Sequence, residues 1–532
     1  MKNKKTILIS ILLIFITITF FTYNVTITYD SSHYLWLTDL LSPNDSFSNW
    51  DVARGCVFPL FIYVLNIIFG INTNALLIGM FFNYMILLVI CYLIYEEFFN
   101  NNSNKIYNVC ILITLFILIA FNPIVFGYYH TLLTEFISIT IAALACYLCW
   151  KFIYIDYDVN KIKFWSYTVI FAILAVISWN LKQPYVGTVI YPLIISFLIY
   201  MFKKPKITNV LFKILSIMIS VAAIVCSIIV WNKILVANNV KQNSERDSSG
   251  FFARQLVEGV SYYNRDFHDF SYTEESIRNN ARISDQDKEK IYTIMKKQDN
   301  EYSNFIILRS SNIEKDKYDY ILYTKDKNLS TGEAIKFVVD MMVNKPIELL
   351  KSYVDNYLAI INIYQIYFES DVNKLVVVKK FDILSSAENS AIAYKIYGTN
   401  TSNVFPLNED YYKYAENYFS KNQGLKICNF IMENLKNISI IVFKFSLAIL
   451  PFEILLVIII FIITKKRMKL NGIGQKLLDL IFVLLIFSFL NICSHAVLGA
   501  SIDRYAISSY VTNVIAIVLL INFFVNIKNY KM

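Results

Sequence analysis

Runs of about 20 mostly apolar residues recur along this chain, and they limit its possible folds more than any other feature. A helix of about 20 residues, rising about 1.5 Å per residue, crosses the roughly 30 Å hydrocarbon core of a bilayer. Of the 532 residues, 56% are hydrophobic and only 17% are charged, whereas a soluble domain of this length carries more charge. The pattern predicts an all-α polytopic membrane protein with about ten transmembrane helices, near residues 6–24, 75–97, 107–123, 132–150, 164–179, 184–202, 208–231, 438–464, 476–494 and 508–527.

The predicted spans form two groups separated by a polar region. We expect residues 1–231 to form an N-terminal transmembrane module and residues 438–532 to supply the C-terminal transmembrane helices. Residues 232–437 are predicted to form a large extracytoplasmic loop domain, whose fold the sequence does not specify. Two apolar segments, 56–70 and 349–368, are expected to lie along the outer membrane surface, because the first is too short to cross and the second contains charged residues.

Lysine and arginine are shared unequally between the two sets of loops. The short loops on one side of the predicted spans contain only Arg54, Lys182 and Arg504, whereas the loops on the other side are rich in lysine. The positive-inside rule therefore places the lysine-rich side, with the N- and C-termini, in the cytoplasm of a multi-pass cell-membrane protein. The same bias accounts for much of the net charge of +9, so nucleic-acid binding is not needed to explain that charge.

Three acidic residues on the predicted outer side are candidate catalytic groups. Asp30 closely follows the first span, so its carboxylate would lie at membrane depth, where a base could act on a lipid-borne substrate. Asp51 is a candidate second acid, and Glu135 opens a span, where acidic residues are costly and often functional. Each has a structural alternative: a solvated helix end for Asp30, a turn acid for Asp51, and a partner of the helix dipole for Glu135.

Four short motifs occur in order on the predicted outer side. Residues 29–34 (Tyr-Asp-Ser-Ser-His-Tyr) follow the first helix, and residues 54–61 (Arg-Gly-Cys-Val-Phe-Pro-Leu-Phe) follow in the same loop. Residues 133–136 (Leu-Thr-Glu-Phe) open a span, and residues 503–505 (Asp-Arg-Tyr) precede the last one. In residue type, order and membrane side, the set resembles the GT-C superfamily of integral-membrane glycosyltransferases, which includes protein O-mannosyltransferases and lipid A aminoarabinose transferases.

The resemblance covers mainly residues 6–202 and 438–527. It implies transfer of a sugar from a polyprenyl-phosphate carrier to a cell-envelope acceptor, which could be a glycan, a lipid or a protein. The transfer would occur at the extracytoplasmic face, with Asp30 as general base. The second acid of the family is often adjacent to the first or in a later loop, and Asp51 is the nearest candidate here. Residues 232–437 match no part of the family pattern.

The resemblance also assigns the basic outer residues to the carrier phosphate. Arg54, Lys182 and Arg504 are the candidates, and arginine suits this role because its planar fork binds phosphate in a bidentate manner. A structural alternative exists for each: Arg54 could pair with Asp51, Arg504 could pair with Asp503, and Lys182 could be a surface lysine.

Histidines and a tyrosine on the same side are further candidates for substrate binding. Three of the four histidines are candidates, namely His33, His130 and His495. Tyr505, which precedes the last span, could line the same pocket as His495, whereas His130 has the alternative of a residue at the membrane interface. The sequence establishes no cofactor. Asp30, Asp51 and His33 leave a divalent cation open as an alternative, but three scattered ligands do not define a metal site.

Two other functions compete with sugar transfer. A polymerase or ligase of lipid-linked glycans would use the same outer face, and the sequence separates it poorly from a transferase. A transporter or flippase of lipid-linked glycans predicts charged or broken helices near the bilayer midplane. The middle positions of the predicted spans are almost free of charge, which favours an enzyme.

The charge bias predicts the orientation of the chain, which reporter fusions can check. Alkaline phosphatase, which is active only outside the cytoplasm, should be active when fused after residue 240 and inactive when fused after residue 204. The reason is that lysines around position 204 hold their loop in the cytoplasm. Activity at position 204 but not at position 240 would show that the orientation is the reverse.

Overall fold

The computed structural model describes most of the transmembrane region and a few pieces of the polar region. The described residues are 2–23, 25, 29–42, 47–51, 54–70, 73–99, 105–240, 256, 306–310, 319–323, 331–344, 346–362, 426–466, 470–498 and 506–530. The helices are α1 (Lys2–Phe21), α2 (Tyr29–Asp39), α3 (Val57–Phe69), α4 (Thr73–Phe99), α5 (Lys105–Ile119), α6 (Pro123–Tyr128), α7 (Glu135–Phe152), α8 (Lys161–Leu181), α9 (Gly187–Phe202), α10 (Ile207–Ala237), α11 (Thr331–Asn344), α12 (Pro346–Asn362), α13 (Lys426–Lys466), α14 (Gly472–Val497), α15 (Ile507–Val525) and α16 (Ile527–Tyr530).

Short elements complete this description. Two 3₁₀ turns cover Phe47–Asn49 and Gln183–Val186. In the polar region, strand β1 (Ile306–Ser310) pairs antiparallel with strand β2 (Asp319–Tyr323). The long helices α10 and α13 continue past the predicted limits of the polar region, because α10 ends at Ala237 and α13 begins at Lys426.

The protein is a helical multi-pass membrane protein. Eight helices within the described residues are long and apolar enough to cross a membrane, and they coincide with eight of the predicted spans. These are α4, α7, α8, α9 together with the turn before it, α10, α13, α14 and α15. The other two predicted spans, 6–24 and 107–123, fall on α1 and α5, whose described apolar parts are the shorter segments Ser10–Phe21 and Val109–Ile119.

The bundle has one end at which lysines meet carboxylates. Lys151 Nζ at the end of α7 lies 2.7 Å from Glu97 Oε2 near the end of α4. Lys203 Nζ after α9 lies 2.8 Å from Asp479 Oδ2 in the second turn of α14. We call this the basic end. Lys151 and Lys203 both belong to the loops that the charge pattern assigned to the same side of the membrane.

At the opposite end, the bundle collects residues from the other set of loops. Ser31 Oγ in α2 donates to the carbonyl oxygen of Leu132, just before α7, at 2.7 Å. Lys182, just after α8, interacts electrostatically with His495 in the last turn of α14. We call this the site end. The two sets of loops therefore separate as the sequence predicted, and which end faces the cytoplasm stays a prediction.

Hydrogen bonds between small polar side chains join the central helices. Ser138 Oγ in α7 lies 3.0 Å from Ser508 Oγ in α15, and Ser488 Oγ in α14 lies 2.7 Å from Thr512 Oγ1. Small hydroxyl side chains allow close helix packing and satisfy each other inside a bilayer, each bond contributing about 0.6 kcal/mol on average. We call these contacts the polar seam. It fixes α7, α14 and α15 relative to one another.

In the described parts of the two segments expected along the membrane surface, no helix is long and apolar enough to cross a membrane. The segment 56–70 forms α3, and α2 and α4 both pack against it. The segment 349–368 overlaps α12, which packs against α13 and α14. Residues 363–368 lie outside the described residues.

The cluster around Asp479 predicts a difference between two carboxylates at the basic end. Asp479 is fully buried and accepts hydrogen bonds from Tyr154 Oη at 2.5 Å and Lys203 Nζ at 2.8 Å. Asp479→Asn should lower the free energy of unfolding in detergent by about 1–3 kcal/mol, because Lys203 loses its buried counter-charge.

The matched control is Asp158→Asn, also at the basic end. Asp158 lies 3.9 Å from the exposed Lys206 ammonium, so its loss should change the free energy of unfolding by no more than about 0.5 kcal/mol. Equal effects of the two substitutions would show that the Asp479 contacts add no net stability.

Candidate functional site

Helix α2 holds the first two candidate residues at the site end. Asp30 lies in its first turn and His33 one turn later, and a spacing of three puts both positions on the same side of the helix. Their side chains lie outside the described ones. The helix itself is fixed at two points, through the Ser31 bond to the turn before α7 and through Thr38 Oγ1, which lies 3.3 Å from the Pro59 carbonyl oxygen in α3.

The loop between α2 and α3 positions Arg54 against α2. Arg54 Nη1 donates to Tyr34 Oη at 3.1 Å, and the guanidinium carbon lies 5.2 Å from the Tyr34 ring centroid. Trp50 Nε1 donates to the Arg54 carbonyl oxygen at 3.1 Å, and the Arg54 N–H donates to the Asp51 carbonyl oxygen at 2.9 Å. Asp51 is half-buried in the same turn. Arg54 is therefore held on the helix that contains Asp30.

Gly55 brings this loop against the end of α8. A Cβ atom at position 55 would overlap the backbone carbonyl of Asn180, so only glycine fits here. Lys182 follows Asn180 by two residues, directly after α8. The close backbone approach thus places the Arg54 and Lys182 segments side by side, although they are far apart in the sequence.

Glu135 is buried at the start of α7. Its side chain is 1% exposed, and Thr134 Oγ1 lies 3.3 Å from Glu135 Oε2. The acid sits in the first turn, where the helix dipole favours a negative charge. Ser138, one turn later, contacts Ser508 at the start of α15. Glu135 therefore lies near the point where the last loop enters the bundle.

Two candidates from the last loop, Arg504 and Tyr505, lie outside the described residues. The described residues continue from Ala506, immediately before α15. His495 lies on the other side of this loop, buried in the last turn of α14 and within electrostatic reach of Lys182. The described ends of this loop thus both lie at the site end.

His130 is a buried histidine that joins two parts of the fold. Its Nδ1 lies 2.8 Å from the Phe126 carbonyl oxygen, and its Nε2 lies 3.0 Å from the Phe20 carbonyl oxygen. Burial lowers the pKa of the ring to about 4, against the opposing effect of the two carbonyl groups. The two contacts link α1 to the turn after α6.

Sequence reasoning missed the residues that support the candidate groups. Tyr34 orients Arg54, and Trp50, which is 3% exposed, packs against Trp231 of α10 with ring centroids 5.3 Å apart. Gly55 lies within one of the motifs singled out above. Glycine is required there because of a backbone contact with Asn180, and no sequence pattern indicates that contact. A tryptophan in a short polar loop is the one signal that could have indicated local packing.

The described side chains contain no group suited to binding a metal ion. Among them, no three histidine, cysteine, aspartate or glutamate residues lie close enough together to hold one. The side chains of Asp30 and His33 lie outside that set. The divalent-cation alternative stays a prediction for this reason.

One acidic residue lies near the middle of a span, among positions that are otherwise almost free of charge. Glu453 lies in α13 about 16 Å along the helix from the span end at Thr464, near the bilayer centre. It is 7% exposed, with Asn513 of α15 beside it, and its Oε2 has no hydrogen-bond partner among the described residues. Asn513 also donates to the Ser446 carbonyl oxygen at 2.7 Å.

No protein-family model, curated protein or solved structure matches this chain. The class that the fold defines is thus a helical multi-pass membrane protein.

The contact between Gly55 and Asn180 predicts a strong effect of a single methyl group. Gly55→Ala should lower the free energy of unfolding in detergent by about 1–3 kcal/mol, because the added Cβ meets backbone atoms that cannot rotate away. Gly472→Ala is the matched control, since a Cβ there meets nothing within 4 Å. A Gly55→Ala protein as stable as the Gly472→Ala protein would show that the two backbones do not approach this closely.

Proposed function

We propose that this protein is a GT-C-like glycosyltransferase with about ten transmembrane helices and a large extracytoplasmic loop domain. It moves a sugar from a polyprenyl-phosphate carrier to a cell-envelope acceptor at the extracytoplasmic face. One observation supports the proposal above all. The backbone segments of Asp30, Arg54 and Lys182 meet at one end of the bundle, opposite the basic end.

The location suits a substrate with a lipid tail. The polyprenyl chain stays in the bilayer, so its phosphate and sugar reach only the ends of the helices. The site end offers two cations on adjacent segments, Arg54 and Lys182. In this proposal they neutralise the carrier phosphate, and Arg504 acts with them from the last loop.

The chemical step requires one base and one stabilised leaving group. Asp30 accepts the proton of the acceptor hydroxyl while the acceptor oxygen bonds to the anomeric carbon of the sugar. The bond between that carbon and the phosphate oxygen breaks, and the carrier phosphate leaves with the electron pair. Asp51 and Glu135 are the candidate second acids. The Tyr34 contacts hold Arg54 in place, which reduces the reorganisation needed during transfer.

A second candidate function is transport or flipping of a lipid-linked glycan. Glu453 favours it, because a buried acid near the bilayer centre is expensive and often functional in transporters. The transferase is preferred because its candidate residues come from several separate segments and meet at one end. A transporter site would instead be expected near the midplane.

The proposed base predicts a selective loss of catalysis. Asp30→Asn should lower the rate of sugar transfer by roughly 10²–10⁴-fold, because the amide cannot accept the proton. The assay uses membranes containing the variant, radiolabelled polyprenyl-phosphate sugars as donors and envelope material as acceptor. The matched control is Asp39→Asn, which changes the other acidic residue of the same helix and should retain transfer.

A third variant separates the two candidate functions. Glu453→Gln should retain sugar transfer if the protein is the proposed enzyme, whereas a transporter that uses Glu453 would lose movement of lipid-linked glycan across the membrane.

Full transfer by Asp30→Asn would remove Asp30 as the base. If wild-type membranes consume none of the donors in a broad sugar panel, and Glu453→Gln stops glycan movement, the transporter takes the place of the transferase.

A further inference from the structure

Helices α11 and α12 each expose a stripe of large apolar side chains. In α11 the stripe contains Val343, which is 72% exposed, and in α12 it contains Ile347, which is 81% exposed. The other members are Ile335, Val339 and Met342 in α11 and Leu350, Val354 and Leu358 in α12. The spacings of three and four residues place each set along one side of its helix. A stripe of this kind in contact with water would be unfavourable.

The opposite side of α12 is docked on the bundle, and the docking uses polar groups. Asn356, which is buried, donates through Nδ2 to the Ala496 carbonyl oxygen at 3.0 Å, in the last turn of α14. Ile360 is fully buried in the hydrophobic core. The helix thus turns its polar contacts and part of its apolar surface inward, and its exposed stripe outward.

Tyr357 meets the bundle where a proline leaves a backbone group unpaired. Pro451 lies inside α13 and has no N–H to donate to the carbonyl of Leu447. Tyr357 Oη donates to that Leu447 oxygen at 3.3 Å, and its ring centroid lies 6.1 Å from that of Phe489 in α14. The hydroxyl therefore replaces the hydrogen bond that proline removes, which fixes the height of α12 along the bundle.

That height lies within the hydrocarbon region. Leu447 is about 26 Å along α13 from Thr464, where the span ends at the basic end, and the hydrocarbon core is roughly 30 Å thick. Phe489 is likewise about 26 Å along α14 from Gly472. Two independent helices thus place the Tyr357 hydroxyl and ring at the outer part of the hydrocarbon at the site end, so α12 meets the bundle at membrane depth.

We propose that α11 and α12 form a hairpin that enters one leaflet without crossing the membrane, and that lipid acyl chains cover its apolar stripes. The helix α12 packs against α13, a candidate membrane span whose Ile441, Phe445 and Phe452 are strongly exposed, so lipid that covers α13 also reaches α12. Such a helix binds the interface through its buried apolar area. The partner is the leaflet at the site end, and this inference does not depend on the proposed sugar transfer.

Photo-crosslinking in native membranes tests the identity of the covering partner. The photoreactive amino acid p-benzoyl-phenylalanine replaces Val343, Ile347 or Leu358 in the full chain, one position at a time. After illumination, mass spectrometry of the purified protein distinguishes lipid adducts, links within the chain and links to a second copy. Phe452 is the positive control because it is 72% exposed in a membrane span, and Lys204 is the control in the basic-end turn after α9.

The proposal expects lipid adducts at the hairpin positions within about three-fold of the yield at Phe452, and far fewer at Lys204. Links to other segments of the same chain or to a second copy would overturn it, because protein would then cover the stripes. Adducts at Phe452 without any at the hairpin would also overturn it, because the stripes would then lie in water.

Discussion

The structure depends on the rule that polar groups inside a bilayer must find partners within the protein. The polar seam satisfies this rule between α7, α14 and α15, where serine and threonine hydroxyls bond across the helix contacts. Tyr357 satisfies it for the carbonyl that Pro451 leaves unpaired in α13. Because each of these bonds has one geometry, the helices that hold the site end are fixed in height and rotation.

The site end is assembled on this frame by short segments between the helices. The loop containing Arg54 and Gly55 contacts α2 on one side and α8 on the other. The Ser31 bond ties α2 to the turn before α7, near the buried Glu135. A catalytic group on such a segment would be positioned by several helices at once, which is the condition for a rigid site beside a fluid bilayer.

Much of the helical fold could be predicted from the sequence, and part of the site could not. The spans on α4, α10 and α14 follow directly from apolar runs of sufficient length. The pairing of Gly55 with Asn180 could not be predicted, because close backbone approach leaves no periodic signal. His130 shows the same limit, since the contact between its ring and the Phe20 carbonyl oxygen of α1 leaves no signal in the sequence.

The sequence by itself determined the membrane-spanning class and the two sets of loops. The reason is that the hydropathy of a span and the charge of a loop each depend only on residues within that one segment. Only the tertiary structure decided which residues of one side become neighbours, as with Gly55 beside the Asn180 carbonyl and Tyr357 beside Leu447. Contacts between distant segments depend on how whole helices pack, and packing is governed by shape and by hydrogen-bond geometry that no local pattern contains.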